Sequence, residues 1–385
     1  MSWPMHPVNE LCEFAADCVN KTAPTVDYET EFKMIRTTNV KKGFIDLNEV
    51  RYVTEEVFEK WTRRSKPQYG DVILTREAPV GEVGRFTSDD DKVFLGQRLF
   101  HYRPNPEKLD WNFLAYVLQS PPVQGRFKGM GFGATVDHVR VGDAERLPIP
   151  CPPLDVQKKI GGTLAAYDDL IENNRRRIQL LEQAARQLYK EWFVHLRFPG
   201  HEHVKIKDGV PEGWVKMPLG GVLEIKKGKN ITKEIAKEGD IPVVAGGLTP
   251  AYFHNAANVA GPVITVSASG ANAGFVNLYH EDIWASDCSY VGALTTDYIY
   301  YFYLLLTSRQ ADITAFQKGA AQPHVYPKDL MRLIVLCPPE NLANIFEQEA
   351  SKNFLLIRNL IKQNKLLAKA RDLLLPRLMN GEVVV

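Results

Sequence analysis

Apolar residues recur along this chain with two different periods. Leu164, Tyr167, Ile171, Asn174, Ile178, Leu181, Ala185, Leu188 and Trp192 are spaced alternately by three and four. That is an unbroken heptad seam in which Asn174 is the one strongly polar member. Phe346, Ala350, Ile357, Leu360, Asn364, Leu367 and Leu374 form a similar but more interrupted seam that ends before Pro376. Pro152-Pro153 and Pro338-Pro339 precede the two seams, and Pro199-Gly200 follows the first. The pattern predicts two helices of about 35 to 45 residues, roughly 50 to 65 Å at 1.5 Å per residue. A helix that long outruns a domain of about 150 residues. Each is therefore expected to pack on the other, antiparallel, with Asn174 and Asn364 either fixing register or lying solvated where the coil frays. Before each Pro-Pro pair the period changes to two, at Leu147 and Ile149 and again at Leu333 and Val335. These runs predict strands closed by prolines, which have no N–H to give a ladder.

The chain also repeats itself. His138, Val139, Asp143, Leu147, Cys151, Pro152 and Pro153 recur as His324, Val325, Asp329, Leu333, Cys337, Pro338 and Pro339. All seven pairs share one offset, 324 minus 138, or 186 residues. Weaker echoes are Trp3 with Trp214, and Gly70-Asp-Val-Ile-Leu74 with Gly261-Pro-Val-Ile-Thr265, followed by Gly81 and Gly274. A single offset through seven identities implies duplication. The expected fold is α+β: two tandem-repeated globular mixed α/β domains, 1–153 and 201–339, separated by two long helices, 154–200 and 340–385, forming an antiparallel coiled coil.

Composition narrows the function. With 47 Lys and Arg against 46 Asp and Glu in 385 residues, the chain is no histone-like polycation, although a local basic patch can hide in a neutral total. No segment is strongly charged; residues 1–154 hold 20 basic and 22 acidic side chains, and 201–340 hold 12 and 14. Cys12, Cys18, Cys151, Cys288 and Cys337 are odd in number and scattered without a CxxC pair. That fits a reducing compartment and neither a disulfide framework nor a zinc site. The N-terminal stretch lacks a secretory pattern, and the longest apolar run, 298–306, is too short for a bilayer. A cytoplasmic protein with no membrane partner is expected.

Catalytic motifs are sought without success. His201-Glu-His203 has no HExxH context, so no metal site is expected. Gly228-Lys229-Asn230 lacks the upstream glycine of a P-loop, and Gly129, Gly131 and Gly133 precede no helix pattern. Neither Pro-Pro pair has the flanking residues of an amino-methyltransferase motif, and no GxSxG elbow occurs. The chain is expected to carry no catalytic centre and no cofactor of its own. What remains are binding features. Lys41 and Lys42, in the polar stretch 37–43, and Lys226, Lys227 and Lys229, in 226–232, suit phosphates. Thr75, Arg76, Gln97, Ser269, Asn272 and Gln322 are candidates for reading DNA, since Arg pairs with guanine and Asn or Gln with adenine. Each alone fits a solvated turn or a structural role equally well.

Together these features resemble the specificity subunit of type I restriction-modification systems. The resemblance rests on the Trp3 and Trp214 openings, the Gly70–Leu74 strand and the two Pro-Pro-led helices. It rests also on Leu180-Leu-Glu-Gln-Ala-Ala-Arg-Gln-Leu-Tyr-Lys-Glu-Trp-Phe193 leading to Phe198-Pro-Gly200, and on Arg371-Asp-Leu-Leu-Leu-Pro-Arg-Leu-Met-Asn-Gly-Glu382. One departure is that the second Pro-Pro is not followed by a counterpart of Gln157. The resemblance implies that each globular half is a target recognition domain for one half of a split double-stranded DNA site. It implies that the helices bind two methyltransferase subunits, which carry S-adenosylmethionine, and that restriction subunits add ATP- and Mg-dependent cleavage. Two other readings stay open: a non-DNA-binding, two-headed scaffold for protein partners, and an enzyme whose site is dispersed. Salt-dependent DNA binding separates the first reading from both.

Overall fold

Each Pro-Pro pair stands where a strand hands over to a helix. In the computed structural model, which describes residues 3–90, 92–130, 138–319 and 322–383, the helices run Leu154–Tyr189 and Glu340–Met379. Their 36 and 40 residues span about 54 and 60 Å. A π-helical turn, Lys190–Val194, closes the first and carries Trp192, so the last seam residue lies just beyond the α-helix. Gly131 and Gly133 fall outside the described residues.

The chain divides into two units, Met1–Asn173 with Gln363–Val385, and Asn174–Lys362. Each unit takes one globular stretch and part of both helices.

The seams are where the helices meet. In the first unit Leu164 and Ile171 are buried, while Tyr167, Asn364, Leu367 and Leu374 are half-buried. Asp168 binds Arg371, and Asn364 Nδ2 donates to the Ile171 carbonyl at 3.4 Å. As one residue number rises the other falls, so the pair is antiparallel. In the second unit Tyr189 and Trp192 meet Phe346 at 5.9 and 5.5 Å between ring centres. Asn174, Ala185, Ala350 and Ile357 are buried there, and Ile178, Leu181 and Leu188 half-buried. Phe354, 1% exposed, fills the interruption between Ala350 and Ile357.

The duplication governs sheet topology. In the first unit a four-stranded sheet has the order Cys12–Asp17, Leu99–Pro104, Val72–Thr75, Val83–Arg85. In the second the order is Lys226–Lys227, Cys288–Gly292, Val263–Ser267, Val276–Tyr279. A smaller sheet, with one antiparallel and one parallel pairing, accompanies each: Arg51–Tyr52, Lys33–Ile35, Val93–Leu95, and Tyr252–His254, Ile241–Val244, Trp284–Ala285. The strands before each Pro-Pro pair with the segment after each opening tryptophan, Pro148–Pro150 with Met5–Pro7 and Ile334–Cys337 with Val215–Pro218. Gly81 and Gly274 turn the equivalent hairpins at φ 86° and 87°, a conformation cheap only for glycine. Helix Trp111–Gln119 in one unit and Ile299–Ser308 in the other bury their apolar faces in the cores. The first unit adds helix Glu55–Thr62, whose Phe58 and Trp61 build a small core with Phe32 and Phe94.

Candidate nucleic-acid interface

Strand register gathers the polar loops at one end of each four-stranded sheet. In the second unit Lys227 opposes Ser289, and Ser267 opposes Cys288. The loops after Lys227, before Cys288 and after Ser267 therefore emerge together. Gly228 is forced there: a Cβ would lie 2.1 Å from the Ser286 carbonyl oxygen. Lys226, Lys227 and Lys229 are exposed around it, with Lys226 Nζ 3.3 Å from Glu224. Ser269 Oγ donates to Asp287. Gly270 N–H donates to the Pro323 carbonyl at 3.0 Å, which brings exposed Gln322 beside half-buried Asn272. The structure thus brings together Lys227, Lys229, Ser269, Asn272 and Gln322.

In the first unit the same sheet end is built from the stretch 37–43, which holds a 3-10 turn at Thr37–Asn39 and a short strand at Val40–Lys41, from the loops 76–82 and 97–98 and from His138. Lys41 and Lys42 are exposed, and the Lys42 N–H donates to Glu82 at 3.0 Å. Gln97 is half-buried, its Oε1 accepting from the Thr22 hydroxyl at 3.4 Å. Two of the candidates are buried. Thr75 is 0% exposed; its hydroxyl donates to the Pro79 carbonyl at 2.6 Å and accepts from Glu82 N–H at 2.9 Å. Arg76 is 7% exposed, and its Nη1 donates to the Val139 carbonyl at 3.1 Å. Both side chains hydrogen-bond inside the domain and help to hold the loop. The stretch 226–232 continues from the first strand of its sheet, whereas 37–43 follows strand Lys33–Ile35 of the smaller sheet. Their basic composition is alike and their topological place is not, yet both reach the same end of the sheet.

Each domain is clamped to the long helices at the N-terminus of its sheet-packed helix, where unpaired N–H groups need acceptors. In the first unit Asp110 caps its own helix, accepting from Phe113 N–H at 2.8 Å. Gln157 of the long helix accepts from Asp110 N–H at 2.9 Å and donates to the Lys108 and Pro152 carbonyls. In the second unit Tyr298 occupies the cap position and offers no side-chain cap. Glu347 of the C-terminal helix takes over, accepting from Tyr300 and Tyr301 N–H at 3.1 and 2.8 Å. Burial pushes the Glu347 carboxyl up to about 7. Residue 347 minus 186 is Gly161, where a Cβ would sit 2.6 Å from Asp110 Oδ1 and 2.7 Å from Phe113 N. The two halves satisfy the same donor, the third helical N–H, by alternative means.

A second clamp in the first unit was invisible as a seam. Asp168, 0% exposed, accepts from the Tyr116 hydroxyl at 2.5 Å and binds Arg371, with Arg85 Nη2 at 3.6 Å. Burial raises the Tyr116 phenol far above its ordinary range, so it stays a donor. Leu170, Leu180, Leu355, Leu356, Leu366 and Leu373 of the long helices are 47 to 64% exposed. Among the described residues no group of three His, Cys, Asp or Glu is placed to hold a metal, and no helix is long and apolar enough to cross a membrane.

Two copies of one frame, each ending in polar loops of different composition and clamped to shared helices, define a duplicated recognition protein. The family model described as the type I restriction modification DNA specificity domain matches residues 2–183 and 211–354, and the chain belongs to that family. It is 26% identical over 360 residues to the type I restriction enzyme MjaIX specificity subunit of Methanocaldococcus jannaschii, covering 87% of this chain and 82% of that one. The HindI specificity subunit of Haemophilus influenzae is 22% identical, with 82% and 86% covered. A solved type I S subunit from M. genitalium shares the fold at TM-score 0.61 and 19% identity, covering 98% of this chain and 96% of that one.

Proposed function

We propose that this chain is the specificity subunit of a type I restriction-modification complex, reading a bipartite double-stranded DNA site with one half of the site assigned to each unit. The observation that carries the reading is the duplicated frame whose equivalent sheet ends present different polar residues. A duplicated frame suits two half-sites, and divergent loops suit two different base sequences. Exposed lysines at both ends supply phosphate contacts. The exposed leucines on the long helices suit docking of methyltransferase subunits, to which restriction subunits are added. Methyl transfer, with its S-adenosylmethionine, and cleavage, with its ATP and Mg, belong to those partners; this chain acts without catalysis. The test is the methylation pattern of a host with and without the gene, its companion subunits being present in both. A split motif methylated only with the gene supports the reading. An identical pattern in the two hosts refutes it and favours the protein scaffold.

A further inference from the structure

The sheet ends can be aligned residue by residue through their backbone bonds. Val139 N–H donates to the Arg76 carbonyl at 2.9 Å, and Val325 N–H to the Ala268 carbonyl at 3.0 Å. Arg76 N–H donates to the Arg98 carbonyl at 2.8 Å, and Ala268 N–H to the Asp287 carbonyl at 3.2 Å. Single bridges pair Glu77 with His138 and Ser269 with His324. Arg98 therefore stands where Asp287 stands, and Glu77 where Ser269 stands. In both units the two positions touch: Arg98 Nε lies 3.2 Å from Glu77 Oε2, and Ser269 Oγ donates to Asp287. The frame is the same, but a cation in one half is replaced by an acid in the other.

Arg98 is also held at an unfavourable backbone angle. Its φ is 71°, and Lys42 and Ala78, at 49° and 43°, are strained likewise. All three belong to this one sheet end. Thr37 Oγ1 donates to the Ala78 carbonyl at 3.1 Å, and Gly43 N–H to the Val83 carbonyl at 2.8 Å, tying the loops together. Left-handed angles are unfavourable for a non-glycine residue and persist where surrounding structure imposes them.

Resting on the reading above, we propose that Arg98 reads a base in the first half-site, with Glu77 as its positioning residue, and that Asp287, positioned by Ser269, reads a base in the second. A carboxylate at 287 accepts hydrogen bonds only and repels phosphate, so phosphate is not a contact that both side chains can share. Base edges accept either chemistry. The guanidinium meets Glu77 through Nε and has its Nη donors for guanine O6 and N7, and a carboxylate accepts from the cytosine N4 amino group. The first half-site should therefore contain a guanine that depends on Arg98, and the second a cytosine that depends on Asp287.

The test is the methylated motif in a host carrying the full chain and its companion methyltransferase, with Arg98→Ala, Arg98→Lys, Glu77→Gln or Asp287→Asn introduced singly. Arg98→Ala should reduce preference for one guanine in one half-site by roughly 5- to 150-fold, the range for a bidentate pair, and leave the other half-site intact. Arg98→Lys keeps the charge and guards against a folding defect; it should weaken preference at that same position. Glu77→Gln should loosen that position alone, whereas a merely structural role would lower methylation at every site. Asp287→Asn should loosen one position in the other half-site. An unaltered motif in Arg98→Ala, or weaker methylation of the same motif throughout, overturns the proposal. A wild-type chain that directs no methylation instead refutes the reading on which the proposal rests.

Discussion

Replacing Glu347 with Gln tests whether the C-terminal helix holds the second unit at an electrostatic cost. The Glu347 carboxyl is 8% exposed and accepts two N–H groups; burial moves it from 4.5 up to about 7. A carboxyl raised in the folded state keeps a proton that the unfolded chain releases. Its favourable contribution is therefore complete below about pH 4.5 and is lost as pH rises to about 7. A difference of about 2.5 units is worth roughly 3 kcal/mol at 1.36 kcal/mol per unit. Gln does not titrate and accepts through one oxygen, losing one hydrogen bond worth about 1 kcal/mol. At pH 8 the variant should be more stable by about 2 kcal/mol, and at pH 4.5 less stable by about 1 kcal/mol. Urea unfolding of both proteins across this range measures the difference directly, and shared titrations cancel. A variant less stable than the wild type by the same margin at both pH values would refute the reasoning. The helix N-terminus would then be stabilising the carboxylate enough to outweigh its burial.

Gly161→Ala should destabilise the first unit by about 1–3 kcal/mol, since the new Cβ meets backbone and cap; urea unfolding measures the loss. Asp168→Ala removes the buried acid between Arg85 and Arg371, leaving Arg85 with Asp169 at 3.9 Å and Arg371 with Asp372 at 2.7 Å, and should cost about 3 kcal/mol, with Asp168→Asn milder in the same assay. Pure protein incubated with labelled S-adenosylmethionine and DNA should transfer no methyl group; scintillation counting of the DNA checks it. One heptad added to both long helices, about 10 Å of rise or roughly three base pairs, should lengthen the undefined spacer of the methylated motif and keep the half-site bases.

The heptads were legible because periodicity is local: every seam position from Leu164 to Trp192 is buried or half-buried, as the spacing required. The repeat was legible because both copies of the strand before Pro-Pro kept their alternation. The burial of Thr75 and Arg76 was not legible, because a polar side chain at a strand end reads the same whether it faces solvent or its own loop. Only tertiary hydrogen bonds, to Pro79, Glu82 and Val139, decide between the two. Arg98 and Asp287 gave no signal, since their equivalence lies in backbone bonds and not in residue type. Glu347 and Gly161 occupied the shared offset all along, but a glycine and a glutamate do not announce a common task. Asp168 was hidden for a related reason: a heptad argument ranks apolar positions and passes over an acid.

The two capping solutions also affect how such a gene can change. Two copies of one frame at a fixed offset of 186 residues can exchange segments with each other. A crossover between the strand and the helix would place Glu at position 161 against Asp110, crowding two carboxylates where a Cβ alone already collides. The reciprocal product would set Gly opposite Tyr298 and leave the Tyr300 and Tyr301 N–H groups without the acceptor that Glu347 provides. Both hybrids begin life with a weakened seat for their recognition domain. Viable exchanges must carry the cap and its helix position together, with breakpoints beyond residue 161 or 347 or before the capped helix. The halves of this chain, identical in plan, are in this respect no longer spare parts for one another.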